Sequence, residues 1–176
     1  MNEQIQSLLD KQSIYEVLVT YCRGVDRCDA DLIRSAFHED SYDDHGYWKG
    51  PGHELAPFLT DRLRNANSAT THSITNVLIE FDGDLARSEA QVHATLIRKG
   101  CDPVEVDVVG ARYLDRFSRR AGTWRIEHRI VVMDWQKSEV WPDCAPPVPT
   151  EGFVRGARYP EDPSYDTALR AGAGRR

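Results

Sequence analysis

Four β-branched runs in the second half of the chain decide the fold: THSITNVLIEF (71–81), ARSEAQVHATLIR (86–98), VEVDVVGARYLDRFSRR (104–120) and TWRIEHRIVVMDW (123–135). Apolar and polar residues partly alternate within each run, as in strands that bury one face. Short turn sequences separate the runs: Asp82-Gly83-Asp84, Lys99-Gly100 and Ala121-Gly122. The sequence therefore predicts four strands that form an antiparallel meander.

The residues before this sheet predict three helices. From Gln4 to Arg27, apolar residues recur at steps of three and four, which indicates an amphipathic helix with Ile5, Leu8, Leu9, Tyr15, Leu18, Val19, Cys22 and Val25 on its buried face. Asp29 is suited to cap a short second helix that buries Leu32, Ile33, Ala36 and Phe37. His53 to Asn65 indicates a third helix. Helices followed by an antiparallel sheet predict an α+β fold with the helices on one face of the sheet.

Length and composition restrict the organisation and the partners. A chain of 176 residues predicts one domain, here residues 1–140, and the Pro-rich residues 141–176 are expected to form an extension with a mobile end. The formal charge of −6 argues against a nucleic-acid partner. No apolar run is long enough to span a bilayer and the N-terminus lacks an apolar signal core, so we expect a cytoplasmic protein without a membrane partner.

No motif for a metal or a cofactor is visible. The cysteines Cys22, Cys28, Cys101 and Cys144 form no CxxC pair and are expected to be reduced thiols. The six histidines form no HxH or HxxxH pair, and no Gly-rich phosphate loop or GxSxG elbow occurs. We expect neither a metal site nor a cofactor.

Asp26 and His72 are the main candidates for chemistry. Asp26 continues the apolar stripe of the first helix and lies at its C-terminus, where the helix dipole disfavours an anion; the alternative is a side chain that bends into water. His72 opens the first run and shares a face with Ile74, Asn76 and Leu78 under strict alternation; the alternative is a structural histidine. If the two side chains meet, the carboxylate fixes the imidazole tautomer and leaves the other ring nitrogen as a base.

Other side chains could line the same site. Tyr21 precedes Asp26 by five residues, about 140° away around the helix, and is otherwise a core aromatic. Asp43 and His45 share a face if their segment alternates, and a solvated loop is the alternative. Alternation points either Arg129 or His128 inward but not both, with the surface as the default for Arg129. The same ambiguity holds for His93.

Four segments resemble the SnoaL-like group of the nuclear transport factor 2-like superfamily: YCRGVDRCD (21–29), FHEDSYDDHGYWKGP (37–51), TTHSITN (70–76) and RYLDRFSRRAGTWRIEHR (112–129). The similarity extends over about residues 5–135. It implies a conical barrel, in which a strongly bent antiparallel sheet wraps three N-terminal helices around a deep, largely apolar pocket. The chain is most similar to the cofactor-independent lyases of this superfamily: scytalone dehydratase, hexachlorocyclohexane dehydrochlorinase and bile-acid 7α-dehydratase.

The resemblance implies roles for individual residues. Those lyases use an Asp–His pair, and Asp26 and His72 fall on the matching positions, with Tyr21 at the spacing of a tyrosine in the bile-acid enzyme. Arg129 matches a pocket arginine, and His45, Asp43 and His93 are candidates for substrate contacts. The implied activity is elimination of water, halide or formaldehyde from a hydrophobic cyclic or aromatic molecule, by a homo-oligomer for which a trimer is favoured. An isomerase or cyclase of the ketosteroid or polyketide type, or a non-catalytic binding module, remains an alternative.

Overall fold

A computed structural model of the chain describes residues 3–142 and 149–166. Three helices and six strands follow one another, and a short 3-10 turn, Pro163–Tyr165, lies near the end of the described chain. The elements are α1 (Glu3–Arg27), α2 (Ala30–Ser35), β1 (Phe37–Asp44), β2 (Lys49–Pro51), α3 (Gly52–Ala66), β3 (Asn67–Asp82), β4 (Leu85–Arg98), β5 (Val104–Arg120) and β6 (Thr123–Trp141). The predicted α+β class is confirmed.

All six strands form one sheet in the order β2-β1-β6-β5-β4-β3. The predicted meander is confirmed, because β3 to β6 pair antiparallel with their neighbours in the chain. However, β1 lies parallel to β6, so the sheet is mixed rather than wholly antiparallel. Because β2 and β3 stay at opposite edges, the sheet curls around the helices without closing into a barrel.

Strand β1 was not expected from the sequence. Phe37 was assigned to the second helix, but that helix ends at Ser35 and Phe37 begins the strand. The segment FHEDSYDD is rich in acidic residues, which are depleted in strands. Its strand conformation comes from pairing with β6, a contact that local sequence does not encode. This pairing turns Phe37, Ser41 and Asp43 into the core.

The buried face of α1 differs from the predicted stripe. The predicted residues Ile5, Leu8 and Leu9 are half exposed or more, and Tyr15 and Val19 are also exposed. The observed stripe contains Asp10, Ile14, Leu18, Tyr21 and Val25. Asp10 accepts hydrogen bonds from Trp124 at 2.9 Å and from Arg119 at 3.1 Å. Leu18, Cys22 and Val25 of the predicted stripe are buried, so that part of the prediction is confirmed. The rest was misplaced because the inward row begins with a carboxylate whose partners lie on the sheet.

Two irregularities in strand register decide which side chains face the helices. One lies between Thr75 and Leu78 in β3, where Asn76 has a φ of 47°. The predicted shared face of His72, Ile74, Asn76 and Leu78 is therefore wrong after Ile74, because Val77 is half-buried whereas Asn76 and Leu78 are exposed. The other lies where β6 pairs with Arg116 and Phe117 of β5. An extra residue in one strand reverses the alternation beyond it, so both Ile126 and Arg129 are buried.

The described end of the C-terminal extension packs against the domain. We call residues 157–166 the strap. The Tyr165 hydroxyl donates to Asp29 at 2.8 Å, and Arg27 lies 3.3 Å from Asp162. The chain end expected to be mobile lies outside the described residues, as does Cys144, while Cys22, Cys28 and Cys101 are free thiols.

We expect acid to loosen the strap. Burial raises the pKa of Asp162, but hydrogen bonds from Ser164 and from the Ala157 N–H group, together with Arg27, lower it to about 2. A carboxylate with a depressed pKa in the folded state stabilises that state above its unfolded pKa, and this contribution is lost as the pH falls from about 4 to about 2. Hydrogen exchange should therefore show the strap losing protection over this range. Equal protection at both ends of the range, or the same loss in Asp162→Asn, would contradict this expectation.

Candidate active site

The structure brings Asp26 and His72 together. Oδ1 of Asp26 lies 2.6 Å from Nδ1 of His72, and Oδ2 accepts the backbone N–H of His72 at 2.8 Å. The two side chains are only 13% and 12% exposed, respectively. A carboxylate that accepts from Nδ1–H leaves Nε2 with a free lone pair, and no described residue hydrogen-bonds Nε2. The pair therefore has the arrangement of an oriented general base.

The end of α1 sets the position of Asp26. Cys28 adopts a φ of 51°, the Cys28 N–H donates to Val25 O at 3.1 Å, and the Asp29 N–H donates to Gly24 O at 2.8 Å. These two bonds form a Schellman motif, which ends the helix one turn after Cys22. A Cβ on Gly24 would lie 2.8 Å from the backbone nitrogen of Ile33, so the glycine permits α2 to pack closely there. Asp26 thus lies in the last turn of α1, within reach of β3.

A cavity of about 230 Å³ opens beside the pair and is lined by Val19, Cys22, Arg23, Asp26, Arg27, His72 and Ile74. It is smaller and more polar than the deep apolar pocket expected from the resemblance, and it falls below the roughly 300–1,000 Å³ of most ligand sites. Burial raises the pKa of the Cys22 thiol to about 12, so this side chain is a neutral wall rather than a nucleophile.

Large side chains fill the space between the curled sheet and the helices, next to this cavity. Arg129 is fully buried and forms two 2.7 Å hydrogen bonds with Asp115. Its guanidinium carbon lies 4.3 Å from the Tyr21 ring centre and 4.0 Å from that of Tyr113. The surface default for Arg129 was wrong, because the irregularity in β6 turns it inward. Nη1 of Arg129 is buried and has no hydrogen-bond partner within residues 3–142 and 149–166, so this nitrogen of the guanidinium is available as a donor.

Tyr21 lies in this interior and does not contact the Asp26–His72 pair directly in the described structure. Its ring packs edge-on against Phe37 and Tyr113 at 5.7 and 5.8 Å. Burial raises the pKa of Tyr21 well above its ordinary value, so its hydroxyl stays protonated, and no described residue hydrogen-bonds its oxygen. Cys22, the next residue, experiences the charges of both Asp26 and Arg129, so the two groups border the same part of the core.

Asp43 and His45 form a second Asp–His pair. Oδ1 of Asp43 lies 2.7 Å from Nδ1 of His45, with Asp43 fully buried and the His45 side chain 10% exposed. Their predicted shared face is therefore present, and the solvated-loop alternative does not describe them. Oδ2 of Asp43 is buried and lacks a partner. We call Arg129, Asp115, Tyr21 and Tyr113 the Arg129 cluster. The His45 ring lies 6.5 Å from that of Tyr113, which places the Asp43–His45 pair beside this cluster.

His93 is not part of this arrangement. The inward row of β4 consists of Ala86, Ser88, Ala90, Val92 and Ala94. His93 falls on the opposite parity, is exposed, and lies 6.0 Å from Trp135 between ring centres. The expected substrate contact by His93 therefore has no support from its position, because regular alternation holds along this strand.

Sequence reasoning missed Tyr113 and Asp115, which contact Arg129, and Arg158, which contacts the backbone of Asp26. Alternation within RYLDRF puts Tyr113, Asp115 and Phe117 on one face, and a carboxylate between two aromatic residues is a signal of a buried ion pair. Arg158 of the strap hydrogen-bonds the backbone carbonyl of Asp26 and Thr70 Oγ1. No sequence pattern indicated this contact, because 132 residues separate Arg158 from Asp26.

No three His, Cys, Asp or Glu side chains among residues 3–142 and 149–166 lie close enough together to hold a metal ion. None of the helices described there combines the length and the apolar character needed to cross a bilayer.

Comparisons with known proteins agree with this architecture. The sequence profile of the SnoaL-like domain matches residues 6–130. A hexachlorocyclohexane dehydrochlorinase (LinA) type 2 superposes with a TM-score of 0.72 at 21% identity, over 82% of this chain and 99% of that one. A scytalone-dehydratase-like protein from Novosphingobium aromaticivorans superposes at 0.68 and 16% identity, over 88% and 95% of the two chains.

A third structure supports the fold alone. A protein of unknown function with a cystatin-like fold from Nostoc punctiforme superposes with a TM-score of 0.60 at 21% identity, over 72% of this chain and 92% of that one. No curated protein sequence matches this chain. At these identities, the structural matches establish a shared architecture.

Proposed function

Because the chain belongs to the SnoaL-like domain family, we propose that it is a cofactor-independent lyase that acts on a hydrophobic cyclic or aromatic small molecule. The observation that carries the proposal is the His72 imidazole: Asp26 holds Nδ1 at 2.6 Å, and Nε2 is left free beside a cavity. A binding module needs no such oriented base. The LinA and scytalone-dehydratase-like neighbours add support, since dehydrochlorination and dehydration are both eliminations.

The proposed reaction is a proton abstraction coupled to loss of a leaving group. Nε2 of His72 takes a proton from carbon, the electrons of that C–H bond form a double bond, and the leaving group departs from the adjacent carbon with its bonding pair. Asp26 stabilises the imidazolium that forms. Base catalysis of this kind contributes about 10²- to 10⁴-fold, and positioning in a water-poor site supplies the remainder.

The Arg129 cluster is suited to the departing or polarised oxygen. The Tyr21 hydroxyl and Nη1 of Arg129 are buried donors that have no partner among the described residues, and the raised pKa of Tyr21 keeps its hydroxyl protonated as a hydrogen-bond donor at neutral pH. His45, which Asp43 holds through Nδ1, lies 6.5 Å from Tyr113 between ring centres and is a further polar group near these donors. A substrate of ordinary size requires the 230 Å³ cavity to enlarge toward these groups.

Product analysis by mass tests this proposal. We expect a panel of cyclic alcohols, halides and hydroxymethyl ketones with an adjacent acidic C–H to give one class of product that is lighter by water, hydrogen halide or formaldehyde. The control is Asp26→Asn with the same panel, which should give no lighter product. Turnover without any change of mass, or equal turnover by the control variant, contradicts the lyase proposal.

An isomerase is the second candidate, and the Asp43–His45 pair is the observation in its favour. Of two oriented imidazoles, one could remove a proton at one carbon while the other, in its protonated form, returns a proton at another carbon. This candidate predicts a product of unchanged mass that gains deuterium from heavy water. We also propose that the expected homo-oligomer, for which a trimer is favoured, forms through the outer face of the sheet, where Leu78 and Ile130 are exposed.

A further inference from the structure

The strap completes the capping of the helix that carries Asp26. The last four carbonyl groups of an α-helix have no partner within the helix. In α1, those of Gly24 and Val25 accept the N–H groups of Asp29 and Cys28. The remaining two accept from the strap: Arg158 donates to Asp26 O, and the Tyr159 N–H donates to Arg27 O at 2.6 Å. Residues more than 130 positions away thus close the end of α1.

Arg158 also joins this helix end to the strand that carries His72. The same nitrogen, Nη1, donates to Thr70 Oγ1 at 2.8 Å. Thr70 is buried and precedes His72 by two residues, so both side chains lie on one face of β3. One guanidinium therefore bridges the backbone of the proposed carboxylate partner and the strand position next to the proposed base. A cation at a helix C-terminus also interacts favourably with the helix dipole.

The strap holds two further residues that line the cavity. Nη2 of Arg23 donates to Ser164 Oγ at 3.2 Å, and its guanidinium lies 4.9 Å from the Tyr165 ring centre. Arg27 faces Asp162 at 3.3 Å. With Asp26, three of the residues around the cavity are in contact with residues 157–166. These contacts make the strap part of the site's framework.

We propose that Arg158 is a positioning residue that holds Asp26 and His72 in their hydrogen-bonded geometry by bridging the end of α1 to Thr70 of β3. The inference rests on the proposed function, in which His72 acts as the base. Losing the bridge frees the last turn of α1 to move relative to β3. A misplacement of about 1 Å can lower the rate of an enzyme by about 10²-fold.

The test compares four variants with the wild type. Arg158→Ala removes the bridge, Arg158→Lys keeps a cation there, and Thr70→Val removes only the strand-side contact with little change in shape. Arg155→Ala is the matched control, because Arg155 belongs to the same extension and its hydrogen bonds within the described residues go to Thr150 alone. Thermal unfolding confirms that each variant folds.

The first readout needs no substrate. In ¹⁵N-histidine spectra of the full chain, we expect neutral His72 to be mainly the Nδ1–H tautomer in the wild type and in Arg155→Ala. We expect a mixture of tautomers in Arg158→Ala and Thr70→Val, with Arg158→Lys restoring part of the wild-type state. An unchanged His72 tautomer in folded Arg158→Ala overturns the proposal.

The second readout is kcat with a substrate identified by the product screen. We expect kcat to fall by up to about 10²-fold in Arg158→Ala with KM little changed, since positioning acts on the reacting geometry. A loss confined to KM contradicts a positioning role. The two hypotheses fail separately: if His72→Ala retains full turnover, the proposed function is wrong, while the tautomer measurement still decides whether Arg158 positions the pair.

Discussion

Replacing His72 by alanine is expected to lower kcat/KM by about 10²- to 10⁴-fold while the protein stays folded. Asp26 orients the His72 imidazole through a hydrogen bond, and both residues line the cavity. Without the imidazole, the reaction has no proton acceptor, and only substrate binding and the donors of the Arg129 cluster contribute to the rate. The measurement is steady-state kinetics on a substrate from the product screen, with circular dichroism to confirm the fold.

His93→Ala is the matched control for this experiment. Its imidazole is exposed on the outer face of the sheet, so its loss is expected to leave kcat/KM within a factor of about two, as for most surface changes. The single variant Asp26→Asn is also expected to lower kcat/KM, because the amide no longer stabilises an imidazolium. If His72→Ala and His93→Ala have the same small effect, His72 is not the base.

Replacing Asp115 by alanine is expected to lower the free energy of unfolding by about 3–5 kcal/mol. Asp115 forms both carboxylate hydrogen bonds with Arg129, at 2.7 Å each, and neither side chain is exposed. Removing the carboxylate leaves a buried guanidinium between two tyrosine rings without its counter-charge. Urea unfolding at neutral pH measures the loss, which is large compared with the stability of a typical domain.

Asp134→Ala supplies a comparison that differs in burial. Asp134 also makes a two-pronged contact with an arginine, at 3.0 and 2.9 Å from Arg112, but on the solvent side. Exposed pairs contribute about 0.2–1 kcal/mol, so this variant should lose far less stability. Asp115→Leu combined with Arg129→Met should recover much of the loss, since an apolar replacement removes both charges. Equal losses in Asp115→Ala and Asp134→Ala would contradict this account.

The course of the chain was predictable wherever local pattern determines structure. Turn dipeptides and β-branched runs located β3 to β6, and Asp29 accepts the N–H groups of Asp31 and Leu32 as the predicted cap of α2. Strand β1 was not predictable, because its acidic sequence becomes a strand through pairing with β6 and β2. Register irregularities cannot be located from alternation, so the inward direction of Arg129 required the structure.

The site was predictable to the extent that the resemblance supplied it. Spacing alone could not decide whether Asp26 and His72 meet, since 46 residues separate them. The pairing of Asp43 with His45 was accessible, because the two residues lie close in sequence and share parity. The Arg158 contact was not accessible, because the Pro-rich composition of the extension indicates few anchors and gives no sign of where it returns.

β3 is an edge strand of the sheet, and this position affects self-association. A border strand exposes a row of N–H and C=O groups that can recruit a strand from another molecule. At His72 the outward N–H is already occupied, because it donates to Asp26. The carboxylate thereby shields this stretch of backbone from adventitious strand addition. Variants that lack it become open to self-association at the same position, and light scattering should accompany any rate measured on them.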